Sequence, residues 1–383
     1  MRRRAVLTAT LLALSFLTPA RADVTIGFVT SLSGPGSAIG IGYAKGIAAA
    51  YEYKSQMAGQ KVRLIQLDDG SDPSAATRNA RKLIEEEKVD VLIGTATVPS
   101  TVAMISVATE LKVPMICISP IPPKPTSASD QWAITVPQSA DLLVKIVADR
   151  MKRDGVKKVG YIGFSDGWGD LVYAGAKAAE QRGDLQVVTN ERYARTDTSV
   201  TGQVLRIVAA RPDAVLDGGS ATQGALPLLA LSERGFKGAI YGTGALVNPE
   251  FVRVGGKAAE GIKLSVGPVV VSEQLPDDHF AKKLSLEFRA AYERANKGPV
   301  TDQFSGLSFD AWRILDNAVE RAIKISRPGE TGFRTALRDA ILSTHEFPGV
   351  HAVYNFKPGE NYGVDERSLV IVQLVNGAWK YVP

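Results

Sequence analysis

Short β-branched runs alternate along this chain with longer stretches in which apolar residues recur every three or four positions. Residues 24–29, 62–67, 89–93 and 115–118 are largely apolar and short, the pattern of strands buried on both faces. Between them the spacing predicts helices over 42–57, 73–87 and 99–111. Leu83 and Ile84, followed by Glu85-Glu86-Glu87, give the second of these one dry and one wet face. Such alternation implies an α/β fold, a parallel sheet covered by helices on both sides.

The pattern then restarts. Strands are expected at 158–162, 185–188, 214–216, 240–241 and 262–266, with helices at 168–182, 200–210 and 224–234, the last stopped by Gly235. A third stretch is helical over 277–296, 305–325 and 331–342 and returns to strands at 350–356 and 368–374. Its helices need an apolar surface, which a chain crossing back to the first unit would supply. Proline and glycine mark three candidate crossings, at Val136-Pro137, Gly267-Pro268 and Pro348-Gly349.

Residues 1–22 follow a different rule. Arg2, Arg3 and Arg4 precede an apolar run over 5–17 broken only by Thr8, Thr10 and Ser15, and Ala20-Arg21-Ala22 supplies a small-x-small cleavage pattern. This is the layout of a secretory signal cut after Ala22, with an apolar run too short to anchor in a bilayer. No cysteine lies near the cut, so a lipid anchor is not expected, and the paired arginines lack the fuller twin-arginine consensus.

Removing this segment changes the charge. Its four arginines reduce Lys+Arg from 45 to 41 against 40 Asp+Glu, a net of +1. A near-neutral chain has no electrostatic footprint for nucleic acid or anionic membrane. The remaining 361 residues exceed what one core usually organises, so two domains are expected. Cys117 is the only cysteine, in an apolar run, and reads as a buried inert thiol.

Catalytic chemistry is poorly provided for. His279, His345 and His351 have no metal-ligand spacing, and no Gly-x-Ser-x-Gly elbow occurs. The Gly-rich loop over 34–42, flanked by Ile39 and Tyr43, fails the dinucleotide spacing, because Ile39 or Lys45 stands where the third glycine is required. Asp68 and Asp69 are better explained by a turn leading to a cap at Asp72-Pro73. No enzyme activity, cofactor or metal is expected.

In open parallel sheets ligands sit beyond the carboxyl ends of strands, where helix N-termini favour anions. Three strand-to-helix turns qualify: Thr97-Val98-Pro99-Ser100-Thr101, Ser165-Asp166-Gly167-Trp168 and Ser220-Ala221-Thr222-Gln223. Ser100 and Thr101 are expected to cap their helix, whose Val102, Ile105 and Ala108 face inward, or to hold a ligand carboxylate, and both can hold at once. Trp168 opens a helix where a large ring either stacks on a ligand or packs within the lobe.

Ile26-Gly27-Phe28 through Ser33-Gly34-Pro35, then Asp68-Asp69-Gly70-Ser71-Asp72-Pro73, Leu92-Ile93-Gly94, Ser119-Pro120, Asp217-Gly218-Gly219 and Gly363-Val364-Asp365-Glu366-Arg367 carry a resemblance. In order and spacing they resemble the branched-chain amino-acid type of periplasmic solute-binding proteins that serve ABC importers. The resemblance implies two Rossmann-like lobes joined by three hinge crossings, with residues 23–137 and 268–347 in lobe 1 and 138–267 and 348–383 in lobe 2. It implies a monomer in the periplasm, capturing a small molecule between its lobes and delivering it to inner-membrane permease subunits. It places ligand contacts at Ser100, Thr101, Trp168, Ser220 and Phe304, beside Ile39.

Two departures bear on the ligand. Amino-acid binders of this kind carry a glutamate for the ligand ammonium where this chain has Gly244, and small residues where it has Ile121-Pro122-Pro123. An ammonium buried without a carboxylate costs several kcal/mol, and prolines offer no N–H donors. Ile121, Pro122 and Gly244 therefore point to a flat apolar ligand with one anionic end, such as an aromatic carboxylate. An amino acid or amide, or a sensor feeding a signalling receptor, are the alternatives.

Overall fold

The computed structural model describes residues 23–330 and 332–383; the expected signal segment lies outside the described residues. The chain first lays down β1 (Val24–Thr30), α1 (Ser37–Tyr53), β2 (Gln56–Met57), β3 (Gln60–Asp68), α2 (Pro73–Glu85), β4 (Val91–Gly94), α3 (Val98–Glu110), β5 (Met115–Cys117) and β6 (Ala133–Thr135). These form a sheet ordered β2-β3-β1-β4-β5-β6, parallel except for the β2 edge.

A second series follows: α4 (Ala140–Arg153), β7 (Lys158–Phe164), α5 (Gly167–Gln181), β8 (Gln186–Tyr193), α6 (Thr201–Ala210), β9 (Ala214–Gly218), α7 (Ala225–Glu233), β10 (Ala239–Thr243), α8 (Pro249–Ala259) and β11 (Lys263–Val266). The chain closes with α9 (Lys282–Asn296), α10 (Phe304–Ala322), α11 (Phe333–Leu342), β12 (Phe347–Pro348), β13 (Val353–Tyr354), β14 (Val370–Val375) and β15 (Ala378–Val382). The second sheet runs β15-β14-β11-β10-β9-β7-β8, with β14 and β15 antiparallel at its edge. The result is a mixed α/β fold of two lobes.

Helices α9 and α10 return to the first lobe and pack on α1. Their approach is close because Gly46 lacks a Cβ, which would collide with the Ser305 carbonyl, while the Ser308 hydroxyl donates to the Tyr43 carbonyl at 2.8 Å. Elements at 140–153, 249–259 and 378–382 were not expected from the sequence. The strand expected over 350–356 is reduced to β13, which pairs with β12 just before that span. The cause lies beneath it: the buried Asp310 carboxylate takes the N–H of Val350 (2.8 Å), the N–H of His351 (2.9 Å) and the Tyr354 hydroxyl (2.8 Å). Donors that a longer strand would use are already satisfied by a side chain.

The third crossing is also displaced. Val350, Ala352, Tyr354 and Phe356 are buried in the first-lobe core, the Thr135 N–H donates to the Asn361 carbonyl at 2.8 Å, and the Tyr362 hydroxyl donates to the Ile121 carbonyl at 2.6 Å. Residues 348–362 thus remain with lobe 1, contrary to the expected division at 347/348. The passage falls near 365–368, where Glu366 pairs with Lys145 of α4 at 2.8 Å and the Ser368 carbonyl accepts from Gln138 Nε2 at 2.8 Å.

Candidate functional site, an interlobe cavity

The lobes meet directly: Val98 at the start of α3 is buried among second-lobe residues, and Ala221 among first-lobe ones. Between them lies a cavity partly open to solvent, whose atom-free space of about 490 Å³ includes that solvent.

From the first lobe, the β4–α3 turn contributes Ala96 and Val98. Ser100 and Thr101 are not among the lining residues. Thr97 is the N-cap, accepting from the Ser100 N–H at 3.4 Å, and the Thr101 hydroxyl donates to the Thr97 carbonyl at 2.8 Å. The inward stripe of α3 is Ser100, Thr101, Met104, Val107 and Ala108, whereas Val102 is exposed, so the helix is rotated from the expected facing. That rotation turns both hydroxyls into the lobe, where they bond to Thr97.

Ile121 and Pro122 also lie elsewhere. Ile121 is buried in the first-lobe core with its N–H and carbonyl both bonded to Tyr362, and Pro122 is exposed on a separate groove. Ser119 and Pro120, one turn of chain earlier, reach the cavity. Ile39, Tyr43, Phe304 and Leu307 complete the first-lobe wall. Tyr43 and Phe304 meet edge to face at 5.7 Å, and the Tyr43 hydroxyl is committed to the Ile118 carbonyl. Burial holds that phenol well above its ordinary pKa, so it stays neutral.

The second-lobe wall is built at three strand ends. After β7, the Asp166 carboxylate accepts from the N–H groups of Trp168 (3.0 Å) and Gly169 (3.2 Å), capping α5. Trp168 is 4% exposed, lines the cavity, and anchors its Nε1–H on the Gly219 carbonyl at 3.1 Å. After β8, Arg195 reaches back: its Nε donates to Asp166 Oδ2 at 2.6 Å and its Nη1 to the Ser220 hydroxyl at 3.0 Å, over the Phe164 ring at 4.1 Å. These bonds leave Nη2 for a further acceptor.

After β9, Gly218-Gly219-Ser220 is drawn tight. Asp217, fully buried, accepts from the Gly219 N–H at 2.7 Å through Oδ1, while Oδ2 is unpartnered. Burial pushes this carboxyl up to about 8. Ala221 has φ +51°, ψ −150°, a conformation that L-residues rarely adopt, and Ser220 beside it lines the cavity.

Gly244 stands behind the cavity, at the end of β10. The space a side chain there would use is taken by Gln303 from the other lobe: a Cβ would lie 2.5 Å from Gln303 Oε1 and 2.7 Å from Cδ. Gln303, Gln138 and Arg195 line the cavity and were missed by sequence reasoning. Arg195 lies past the strand expected at 185–188, which extends to Tyr193, and only its place at that strand's end could have signalled it. Among the described lining residues Arg195 alone is charged.

Two α/β lobes around a cavity with aromatic walls are the architecture of a solute-binding protein. The chain belongs to the periplasmic binding protein family, whose profile matches residues 23–378. It is similar to an extracellular ligand-binding receptor from Rhodopseudomonas palustris HaA2, at 40% identity and TM-score 0.90, covering 94% of this chain and 100% of that one. It is 27% identical over 263 residues to the Leu/Ile/Val-binding protein BraC3 of Rhizobium johnstonii, covering 67% of this chain and 71% of the relative. The fold is also shared with an R. palustris ABC transporter solute-binding protein solved with benzoate, at 22% identity and TM-score 0.78, covering 94% and 96% of the two chains. Among the described residues no helix is long and apolar enough to cross a membrane, and no group of three His, Cys, Asp or Glu is placed to hold a metal.

Proposed function

We propose that this chain is the periplasmic, non-enzymatic solute-capturing component of an ABC importer, exported by residues 1–22, and that it takes a small aromatic or related organic carboxylate. The observation that carries the ligand class is the charge pattern of the cavity: one guanidinium, Arg195, among Tyr43, Trp168, Phe304 and aliphatic neighbours, with no lining carboxylate. A flat apolar body would stack on the aromatic walls. One anionic end would accept from Arg195 and Ser220 as a charge-assisted pair.

Closure follows from the architecture. A ligand touching both lobes binds the closed arrangement better than an open one and shifts the population toward it. The crossings at 136–139, 267–268 and 365–368 would absorb the rotation, and the closed lobes would present a fixed surface to permease subunits.

The test is calorimetry and thermal shift on residues 23–383 with benzoate, ring-substituted benzoates, leucine and valine. Benzoate-like acids should bind at least tenfold more tightly than leucine, and a ligand at a hundred times its Kd should add about 2.7 kcal/mol of stability. Sub-micromolar leucine binding with no response to any benzoate would end this reading.

A further inference from the structure

The cavity has a further polar group whose orientation is set by its hydrogen-bond partner. Gln303 flanks the start of α10 and is buried at the lobe junction. Its Oε1 accepts from the Gly267 N–H at 3.3 Å. A backbone N–H can only donate, so the oxygen must face Gly267 and the amide cannot be turned over. Nε2, with two hydrogens, donates to no group among the described residues; Gln303 lines the cavity, and Nε2 and Oε1 both lie against Gly244, within 2.5 Å of where a Cβ there would sit.

The residue is held at its backbone as well. Its carbonyl accepts from His351 Nε2 at 2.9 Å, which fixes the tautomer of that buried ring. Burial lowers the His351 pKa to about 4, so no cation stands beside the amide. The neighbouring Asp302 is directed elsewhere, accepting from the Ser305 N–H at 2.7 Å and bordering a different groove.

We propose that Gln303 is a specificity-determining residue: with Oε1 engaged by the Gly267 N–H, its unpartnered Nε2 offers donors to the cavity, so a ligand with an acceptor at that end is held and one with an ammonium group is disfavoured. Gly244 on the opposite lobe is the partner that makes this possible, since any larger residue would displace the amide. The assignment rests on the reading of the cavity as a carboxylate site, and goes further by naming what rejects amino acids. With Arg195, it gives the site two side chains that offer N–H donors, and makes the ligand a molecule with more than one acceptor.

Matched pairs test it: leucine against 4-methylpentanoate and phenylalanine against 3-phenylpropanoate, by calorimetry on wild type, Gln303→Glu and Gln303→Ala. Wild type should prefer the des-amino acid of a pair by more than tenfold. Gln303→Glu keeps an oxygen for the Gly267 N–H and turns a second oxygen to the cavity, so it should shift that preference at least tenfold toward the amino acid. Gln303→Ala should fall between. A second arm needs no ligand: Gly244→Ala should lower the melting temperature in wild type and leave it unchanged in the Gln303→Ala background. Wild type binding leucine tightly would defeat the carboxylate reading alone, provided the ratio still moves in Gln303→Glu. An unmoved ratio, no binding of any of the four compounds to either protein, or a Gly244→Ala cost that is independent of residue 303, would overturn the role of Gln303.

Discussion

Arg195→Met removes the cavity's one charge while keeping most of its volume. In the protein the guanidinium spends Nε on Asp166 and Nη1 on Ser220. An anionic ligand would gain a hydrogen bond to a charged group, worth about 1.5–3 kcal/mol in a desolvated site. Asp166 already neutralises part of the field, so the lower half of that range is expected, about a 10- to 40-fold rise in Kd for benzoate. The side chain is 14% exposed and its Asp166 partner 21%. Asp166 retains its two capping bonds at α5, so the stability cost should be only about 1 kcal/mol. The decisive comparison is benzamide, which has the same ring and no charge. Calorimetry should show benzoate losing affinity in the variant and benzamide losing less than threefold. Equal losses for the two would mean that Arg195 acts through packing on Phe164 and not through its charge, and the anion reading would fall.

Trp168→Ala should weaken benzoate by about 1–3 kcal/mol, the scale of a lost aromatic anchor, in the same titration; an unchanged Kd with a lowered melting temperature would assign the ring to lobe packing. For Asp217 the folded pKa is raised, so the folded chain keeps a proton that the unfolded chain releases. Its contribution is therefore full below 3.8 and is lost as pH rises toward about 8. Melting curves between pH 5 and 9 should fall more steeply for wild type than for Asp217→Asn, which can still accept from the Gly219 N–H. Ala221→Gly relieves the positive φ and should leave stability equal or raise it by about 1 kcal/mol, whereas Ala221→Val should lower it; chemical denaturation reads both.

The lobe architecture was legible because it is written in short-range pattern. Strands β1, β4 and β5 are buried apolar runs with helical periodicity between them, and each could be placed from its own residues; β3 was placed too, but it has no buried residue and is not the doubly covered strand expected at 62–67. Asp72 could be read as a cap because a cap is local, and it does accept from the Ala75 N–H at 2.6 Å. Facing was harder. The direction in which Ser100 and Thr101 point depends on a rotation of α3 set by Met104 and Val107 against the sheet, and a shift of one residue exchanges core for cavity. The crossing misplaced at Pro348-Gly349 has the same origin, since nothing local reveals that Asp310, about forty positions earlier, holds residues 350–354 to the first lobe.

The groups that give the cavity its character are those for which pattern is silent. Arg195 matters because Asp166, at the end of a different strand, orients it across Ser220. Gln303 matters because Gly244 on the other lobe leaves room for its amide and Gly267 at a crossing fixes which way that amide faces. Each is defined by two or three segments that meet only when the lobes are together. Gly244 illustrates the consequence. In the sequence it is a missing carboxylate, and in the structure it is the surface against which the neutral Gln303 amide lies. The absence that first argued against an amino acid is thus coupled to a second group, and the Gln303→Glu and Gly244→Ala variants separate what residue 303 supplies from what residue 244 lacks.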